Sequence, residues 1–158
     1  MSRDPEMSLR VISGTRVGAG GCMVWTRALT TSGYAKIKVK GRVRQGHRVA
    51  WEAANGPIPD GLVVDHICHT LACVNVDHLR LATRSENSMN RAGADSDSKS
   101  GVRNVYRTKG GRWRVCLKRG GVDYYLGTFD SLSEATSVAE SGRKLLFGDF
   151  AGGGGPQV

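Results

Sequence analysis

The chain lacks any apolar run long enough to span a bilayer and any signal-peptide pattern at its start, so no membrane partner is expected and the protein reads as cytoplasmic. It is short of acid: 14 Asp and Glu stand against 23 Lys and Arg, a net charge of +9. That imbalance suits a polyanion such as nucleic acid, because each phosphate neutralised by a cation releases counterions. It is short of length, since 158 residues make one ordinary domain or two small ones with little apolar surface to share, and small cores usually need a staple. It is also short of cysteine. Four cysteines in a chain that reads as cytosolic argue for metal ligation rather than disulfides, which a reducing compartment disfavours.

Residues 1–20 show no sustained periodicity and end in Val17-Gly18-Ala19-Gly20-Gly21, which predicts a flexible lead-in. The stretch 22–43 alternates as strands do. Tyr34, Lys36, Lys38 and Lys40 fall on one face and Ala35, Ile37 and Val39 on the other, so one face packs and the other is cationic. Lys36, Lys38 and Lys40 are candidate contacts to a DNA backbone. Residues 47–54 read as a short helix in which His47 and Arg48 support the fold while Val49 and Trp51 pack inward. Arg42, Arg44 or Arg48 is a candidate for a scissile phosphate, with a solvated basic face as the plainer reading. Turn residues at 55–61 break the helix before a β-branched strand at 62–64.

The segment VDHICHTLACVNVDHLRLATRSEN, residues 64–87, concentrates the chemistry. Four residues separate Cys68 from Cys73, and four more separate Cys73 from His78, a spacing that lets two thiolates and an imidazole converge on a tetrahedral zinc. A closed site needs a fourth ligand: Cys22 is the first candidate and His69 the rival. The competing reading, that these cysteines are small buried hydrophobes, does not explain the spacing. Asp65 and His66 are neighbours on a strand and should point to opposite sides unless the strand ends or bulges there. Residues 78–83 read as a return strand, and Thr83 with Glu86 fits a capping box that puts Asn87 in the first turns of a helix. Strand, turn, strand and helix would then hold Asp65 and Asn87 around a hard divalent cation such as magnesium, with His66 beside it.

This arrangement resembles the ββα-metal core of HNH endonucleases, especially phage-type and His-Cys box homing enzymes, over residues 20–91. The resemblance implies that His66 is the general base, that Asn87 and Asp65 bind the catalytic divalent ion, and that Cys68, Cys73 and His78, with the distant Cys22, form a structural zinc site. It further implies duplex DNA as substrate, products with 5′-phosphate and 3′-hydroxyl ends, a homing or phage-competition role, and the cytoplasm of a bacterial host if a phage encodes the chain. A neutral imidazole suits this chemistry because it takes a proton from water near neutral pH.

Beyond the nuclease region, taken as 21–91, residues 92–100 are rich in Ser, Asp, Gly and Ala and read as a linker. Residues 103–107, 112–118 and 123–129 read as three short strands, and 131–146 as a helix. Trp113, Val115 and Leu117 alternate with Arg112, Arg114, Cys116 and Lys118, giving an apolar face for the helix and an exposed basic face. Gly101 to Val105, Trp113, the run Tyr125-Leu126-Gly127-Thr128-Phe129 and Ser133-Glu134-Ala135 make the unit 101–150 resemble the Apetala-type domain of plant ethylene-response factors. By that resemblance the sheet enters the major groove and Arg103, Tyr106, Arg114, Lys118 and Tyr125 face DNA; Cys116 departs from the pattern, where those domains often carry a charged reader. The last residues, 151–158, are expected to be disordered.

The fold class expected is therefore α+β: a zinc-stapled nuclease core preceded by antiparallel strands, then a three-stranded antiparallel sheet with one helix. The rival from another class is a noncatalytic, zinc-stabilised DNA-binding regulator, against which His66 and Asn87 speak. An RNA-binding protein ranks third, since charge alone does not separate the two nucleic acids. A single active site would nick one strand, and a homodimer is the arrangement that would cut both in one encounter.

Overall fold

Asp4 and Pro5 start a helix: the Asp4 carboxylate accepts from the Met7 amide at 2.9 Å, and Pro5 sits in the first turn, where its missing N–H costs nothing. The computed structural model describes residues 4–152. This first helix, α1 (Pro5–Ile12), buries Val11 in the core, and the Asp4 amide donates to the Ala53 carbonyl at 2.9 Å. The flexible lead-in expected over 1–20 is thereby corrected for residues 4–20. Eight residues are too few to display a clear period when Leu9 and Ile12 stay exposed near buried Val11. The glycines of 18–21 serve only the connection between two strands, β1 (Thr15–Val17) and β2 (Met23–Trp25), which pair antiparallel.

The chain folds as two units, Met1–Arg84 and Ser85–Val158. In the first, β3 (Lys36–Val39) and β4 (Arg42–Gln45) form a hairpin. Lys40 and Gly41 make its two-residue turn with φ of 47° and 80°, the paired positive values that a tight hairpin of right-handed twist requires. Lys40 thus leaves the strand face assigned to it and sits at the corner, while exposed Lys36 and Lys38 keep the face opposite buried Ala35 and Ile37. Helix α2 (Gly46–Asn55) begins where the backbone of Gly46 presses on the preceding strand: a Cβ there would lie 2.5 Å from the Ala35 Cβ, and the Gly46 amide donates to the Ala35 carbonyl at 2.8 Å. A second hairpin, β5 (Leu62–His66) with β6 (Leu79–Thr83), pairs Asp65 with Arg80 and His66 with Leu79. Val11, Trp25, Ala35, Ile37, Val49, Ala50, Val64, Val74 and Leu79 form the apolar core under these elements. Each larger side chain buried there is worth about 1.5–3 kcal/mol, so a core with two alanines among nine members is modest.

The second unit holds α3 (Arg84–Met89) from Ser85 onward, an antiparallel sheet of β7 (Val105–Arg107), β8 (Trp113–Arg119) and β9 (Val122–Phe129) in that spatial order, and α4 (Leu132–Phe147). The Ser131 hydroxyl caps α4 by accepting from the Glu134 amide. Val105, Val115 and Leu117 pack with Ala135, Ala139, Phe147 and Ala151. The small residues on α4 let the helix lie close to the sheet, and Gly142 closes the contact, since a Cβ there would meet Leu126 at 2.4 Å. The division between units falls after Arg84, ahead of the stretch 92–100 read as a linker. Arg103 gives the reason, because its guanidinium donates to the carbonyls of Met89, Arg91 and Ala151 at 2.8, 2.7 and 3.0 Å and so ties the end of α3 into the second unit. Ala151 is buried, which corrects the disordered tail at its first residue; 153–158 lie outside the described residues.

Candidate active site and metal centre

Cys22, Cys68, Cys73 and His78 converge, with their ligand atoms all within 4.8 Å of one another. The Cys22 and Cys73 sulfurs lie 3.4 and 3.7 Å from His78 Nδ1. A tetrahedron with metal–sulfur bonds of about 2.3 Å has edges of about 3.8 Å, so the four residues fit a zinc ion. Local chain geometry supplies three of them: Cys68 and Cys73 stand on the loop after β5, and a 3₁₀ turn, Val76–His78, delivers the imidazole. Cys22 arrives from afar because β2 pairs with the same loop. The Trp25 amide donates to Ala72 O and the Val74 amide to Met23 O, both at 2.9 Å, around a bridge of Val24 with Cys73. His69, the rival fourth ligand, is not in the cluster. Hydrogen bonding from Cys73 holds the Cys68 thiol down at about 4, against the opposing effect of burial. The same contact, with burial, pushes Cys73 up. One thiolate forms readily and a second is resisted, which is the state a divalent cation relieves.

The strand β5 ends in two buried polar residues, Asp65 and His66, which take different partners as strand alternation requires. Asp65 Oδ2 accepts from Arg80 Nε at 2.8 Å, directly across the hairpin. His66 Nε2 lies 3.0 Å from the Cys73 carbonyl. A carbonyl only accepts, so Nε2 is the donor in this contact. Cys73 therefore joins the two centres, its sulfur in the metal cluster and its carbonyl on the histidine. Two rings flank His66: His47, with centroids 4.8 Å apart, and Tyr34, at 6.1 Å. Burial, then the nearby His66 and Arg48, lowers the His47 pKa to about 3, so this ring is neutral.

Asn87 is exposed on α3, in the second unit. Of the arginines considered for a phosphate, Arg44 is occupied by Glu52 at 2.7 Å, a pairing that raises its pKa. Arg42 is exposed and Arg48 half-buried. On the second sheet, Arg114 lies over the Tyr106 ring at 5.7 Å, the Tyr125 hydroxyl is 2.9 Å from Thr128 Oγ1, and Lys118 stands 3.9 Å from Asp123. Tyr106, Arg114, Lys118 and Tyr125 are all exposed. Arg103 is not. Its buried guanidinium serves three backbone carbonyls, and the DNA contact expected of it is corrected: a cation at the end of α3 solvates carbonyls that a helix leaves without partners. Arg80, His47 and Tyr34 were missed by sequence reasoning as site residues. Alternation across the hairpin could have given Arg80, but nothing local gives the other two.

The buried Asp65-His66 pair at the end of β5 is thus joined through the Cys73 carbonyl to a Cys₃His cluster. The family described as HNH endonuclease matches residues 44–89. The chain is 40% identical over 67 residues to Protein 7.7 of Escherichia phage T7, a match covering 42% of this chain and 52% of that protein. It is 35% identical over 106 residues to Protein 3.8 of Escherichia phage T7, covering 66% of this chain and 86% of the relative. It is 27% identical over 123 residues to the uncharacterized HNH endonuclease L560 of Acanthamoeba polyphaga mimivirus, covering 78% and 63%. The chain thus spans about half the length of Protein 7.7 and most of Protein 3.8. No solved structure matches. The chain belongs to the HNH endonuclease family, shared with these phage and viral relatives.

Proposed function

We propose that the chain is a metal-dependent DNA endonuclease of the phage-competition or homing type, built on a ββα-metal core and carried on duplex DNA by an Apetala-type second unit. The observation that carries this reading is the buried Asp65-His66 pair at the end of β5, with His66 Nε2 3.0 Å from the Cys73 carbonyl, so that Nδ1 would be the proton acceptor. Cys22, Cys68, Cys73 and His78 would hold a structural zinc. Asp65 would supply a hard oxygen ligand to a catalytic magnesium or similar divalent ion; Asn87, within the matched family region, is a ligand that the family resemblance implies. When bound, that ion would stabilise the charge developing on the phosphate and the leaving oxygen.

The chain's own residues do the rest. His66 Nδ1 takes a proton from water, the water oxygen bonds to phosphorus, the bond from phosphorus to the 3′ oxygen breaks, and that oxygen gains a proton from solvent. The ends are a 5′-phosphate and a 3′-hydroxyl. Arg80 holds one oxygen of Asp65 so that the carboxylate keeps its orientation at the strand end. Lys36 and Lys38 on β3, Lys40 at its turn, and Tyr106, Arg114, Lys118 and Tyr125 on the second sheet supply backbone and groove contacts.

The test is cleavage of supercoiled plasmid and phage DNA by wild type, His66→Ala and Asn87→Ala, with magnesium present or chelated, the folds checked by circular dichroism. Metal-dependent nicking or linearisation by wild type, lost in both variants, is the expected outcome. Equal DNA binding by all three with no cleavage of any substrate would hand the protein to the competing reading, a noncatalytic DNA-binding regulator, which the basic face of the second sheet also suits.

A further inference from the structure

The second unit holds a cavity that the proposed contacts of its sheet do not use. It has a volume of about 580 Å³ and lies between the segment 88–99 and β7, with Phe147 of α4 in its lining. Every lining residue belongs to the second unit. The volume falls in the range of about 300–1,000 Å³ found for pockets that enclose small organic ligands.

The lining has two characters. Met89, Val102, Val105 and Phe147 supply apolar surface, and exposed Tyr106 supplies an aromatic ring. Five cations, Arg91, Lys99, Arg103, Arg107 and Lys118, stand against two acids, Asp95 and Asp97. Arg91 is paired with Asp95, Arg103 is spent on backbone carbonyls, and Lys118 stands 3.9 Å from Asp123. Lys99 and Arg107 have no ion pair among the described residues, and Arg107 lies over the Trp113 ring at 5.5 Å. Burial, then the guanidiniums of Arg143 and Arg91, pull the Arg103 pKa down to about 10, so positive charge is crowded beside the cavity. A bound anion would relieve that crowding.

Such a lining suits a ligand with a flat apolar body and an anionic end, and a nucleotide has both. A base can stack on Tyr106 or pack on Met89 and Phe147, while a phosphate meets the unpaired cations. Asn104 also lines the cavity, and its Oδ1 is buried with no hydrogen-bond partner; the exocyclic amino group of a base is a donor that would match it.

We propose that this cavity binds a single nucleotide unit, its base against the apolar lining and its phosphate on Lys99 and Arg107. The unit is either a free nucleotide or an unpaired nucleotide of bound DNA. The second source rests on the reading of this unit as DNA-binding, and the test separates the two.

Two titrations of the full chain, without added magnesium so that no DNA is cut, test this. In the first, amide resonances are followed with deoxyadenosine monophosphate and with inorganic phosphate. The nucleotide should shift resonances within 88–107, and phosphate should bind there about 10-fold more weakly, the effect of one lost base contact. In the second, a labelled duplex is compared with the same duplex carrying one unpaired adenosine. About 10-fold tighter binding of the second duplex makes DNA the source, and equal affinities with nucleotide binding make it a free nucleotide. Gly93→Trp fills the space: Gly93 lines the cavity, a Cβ there would meet no atom within 4 Å, and its φ lies outside the left-handed region. That variant, with wild-type circular dichroism, should lose nucleotide binding and any preference for the unpaired adenosine, with affinity for the paired duplex within about 2-fold of wild type. Lys99→Gln combined with Arg107→Gln should weaken nucleotide binding about 10-fold. Phosphate binding as tight as the nucleotide's would overturn the proposal, as would nucleotide binding retained in Gly93→Trp. So would no shift with the nucleotide together with equal affinity for the two duplexes. If the chain binds no duplex at all, the DNA reading falls, while the nucleotide titration still decides the cavity.

Discussion

The two units solve the same problem of size in different ways. The second has a conventional small core: a sheet, a helix and the residue Ala151 beyond it contribute seven buried apolar residues, two of them β-strand valines and three of them alanines. Its charge is turned outward, apart from the internal guanidiniums of Arg103 and Arg143, which end on backbone carbonyls. The first unit buries what the second exposes. Asp65, His66, His47, Cys22 and Cys73 are all inside, and thiols and imidazoles occupy space where apolar side chains would otherwise contribute stability. Buried polar chemistry makes a site, and it leaves the fold dependent on whatever satisfies those groups.

Removal of the proposed zinc should have the largest effect. A structural zinc contributes about 10–16 kcal/mol in small zinc domains, more than such a unit has to spare. A strong chelator is expected to unfold the first unit, changing the Trp25 and Trp51 fluorescence, while the dispersed amide resonances of the sheet and α4 in the second unit persist. A single transition that takes both units together would contradict this.

Acid comes next. His47 is held at about 3 against an ordinary 6.5, so below pH 6.5 the unfolded chain binds a proton that the folded chain refuses. The stability this represents is fully present above 6.5 and drains away as pH falls towards 3, on the order of 5 kcal/mol in all. Denaturant melts of wild type and His47→Phe between pH 7 and 5 should diverge, with the variant losing less as the pH drops.

A smaller effect sharpens the contrast from the other side. Leu117→Ala empties a site that is 1% exposed and should cost the second unit about 3 kcal/mol while the first-unit transition stays where it is. Smallest is Arg114→Ala on the exposed face, expected to shift stability by less than about 0.5 kcal/mol yet to lower the salt dependence of DNA binding by about one counterion.

Much of this was legible because it is local. The candidate metal ligands Cys68, Cys73 and His78 lie within eleven residues, and the strands and helix of the second unit carry their alternation and caps on their face. Cys22 was reachable from the chemistry of a closed site, yet the pairing of β2 with 72–74 that delivers it is a tertiary event. Arg103 reads as one more exposed cation until the end of α3 is seen to need donors. Lys40 reads as the next strand residue until the turn claims it. The three-ring cluster was beyond reach, because nothing in the spacing of residues 34, 47 and 66 announces that Gly46 and Ala35 bring them together.

The proposed division, with proton transfer at His66 and holding by the basic faces, is tested by measuring DNA binding and single-turnover cleavage side by side for His66→Ala and Arg114→Ala. His66→Ala is expected to bind duplex DNA as wild type does without cutting it, while Arg114→Ala binds more weakly and cuts at the wild-type rate once protein is saturating. Cleavage retained by His66→Ala would contradict it.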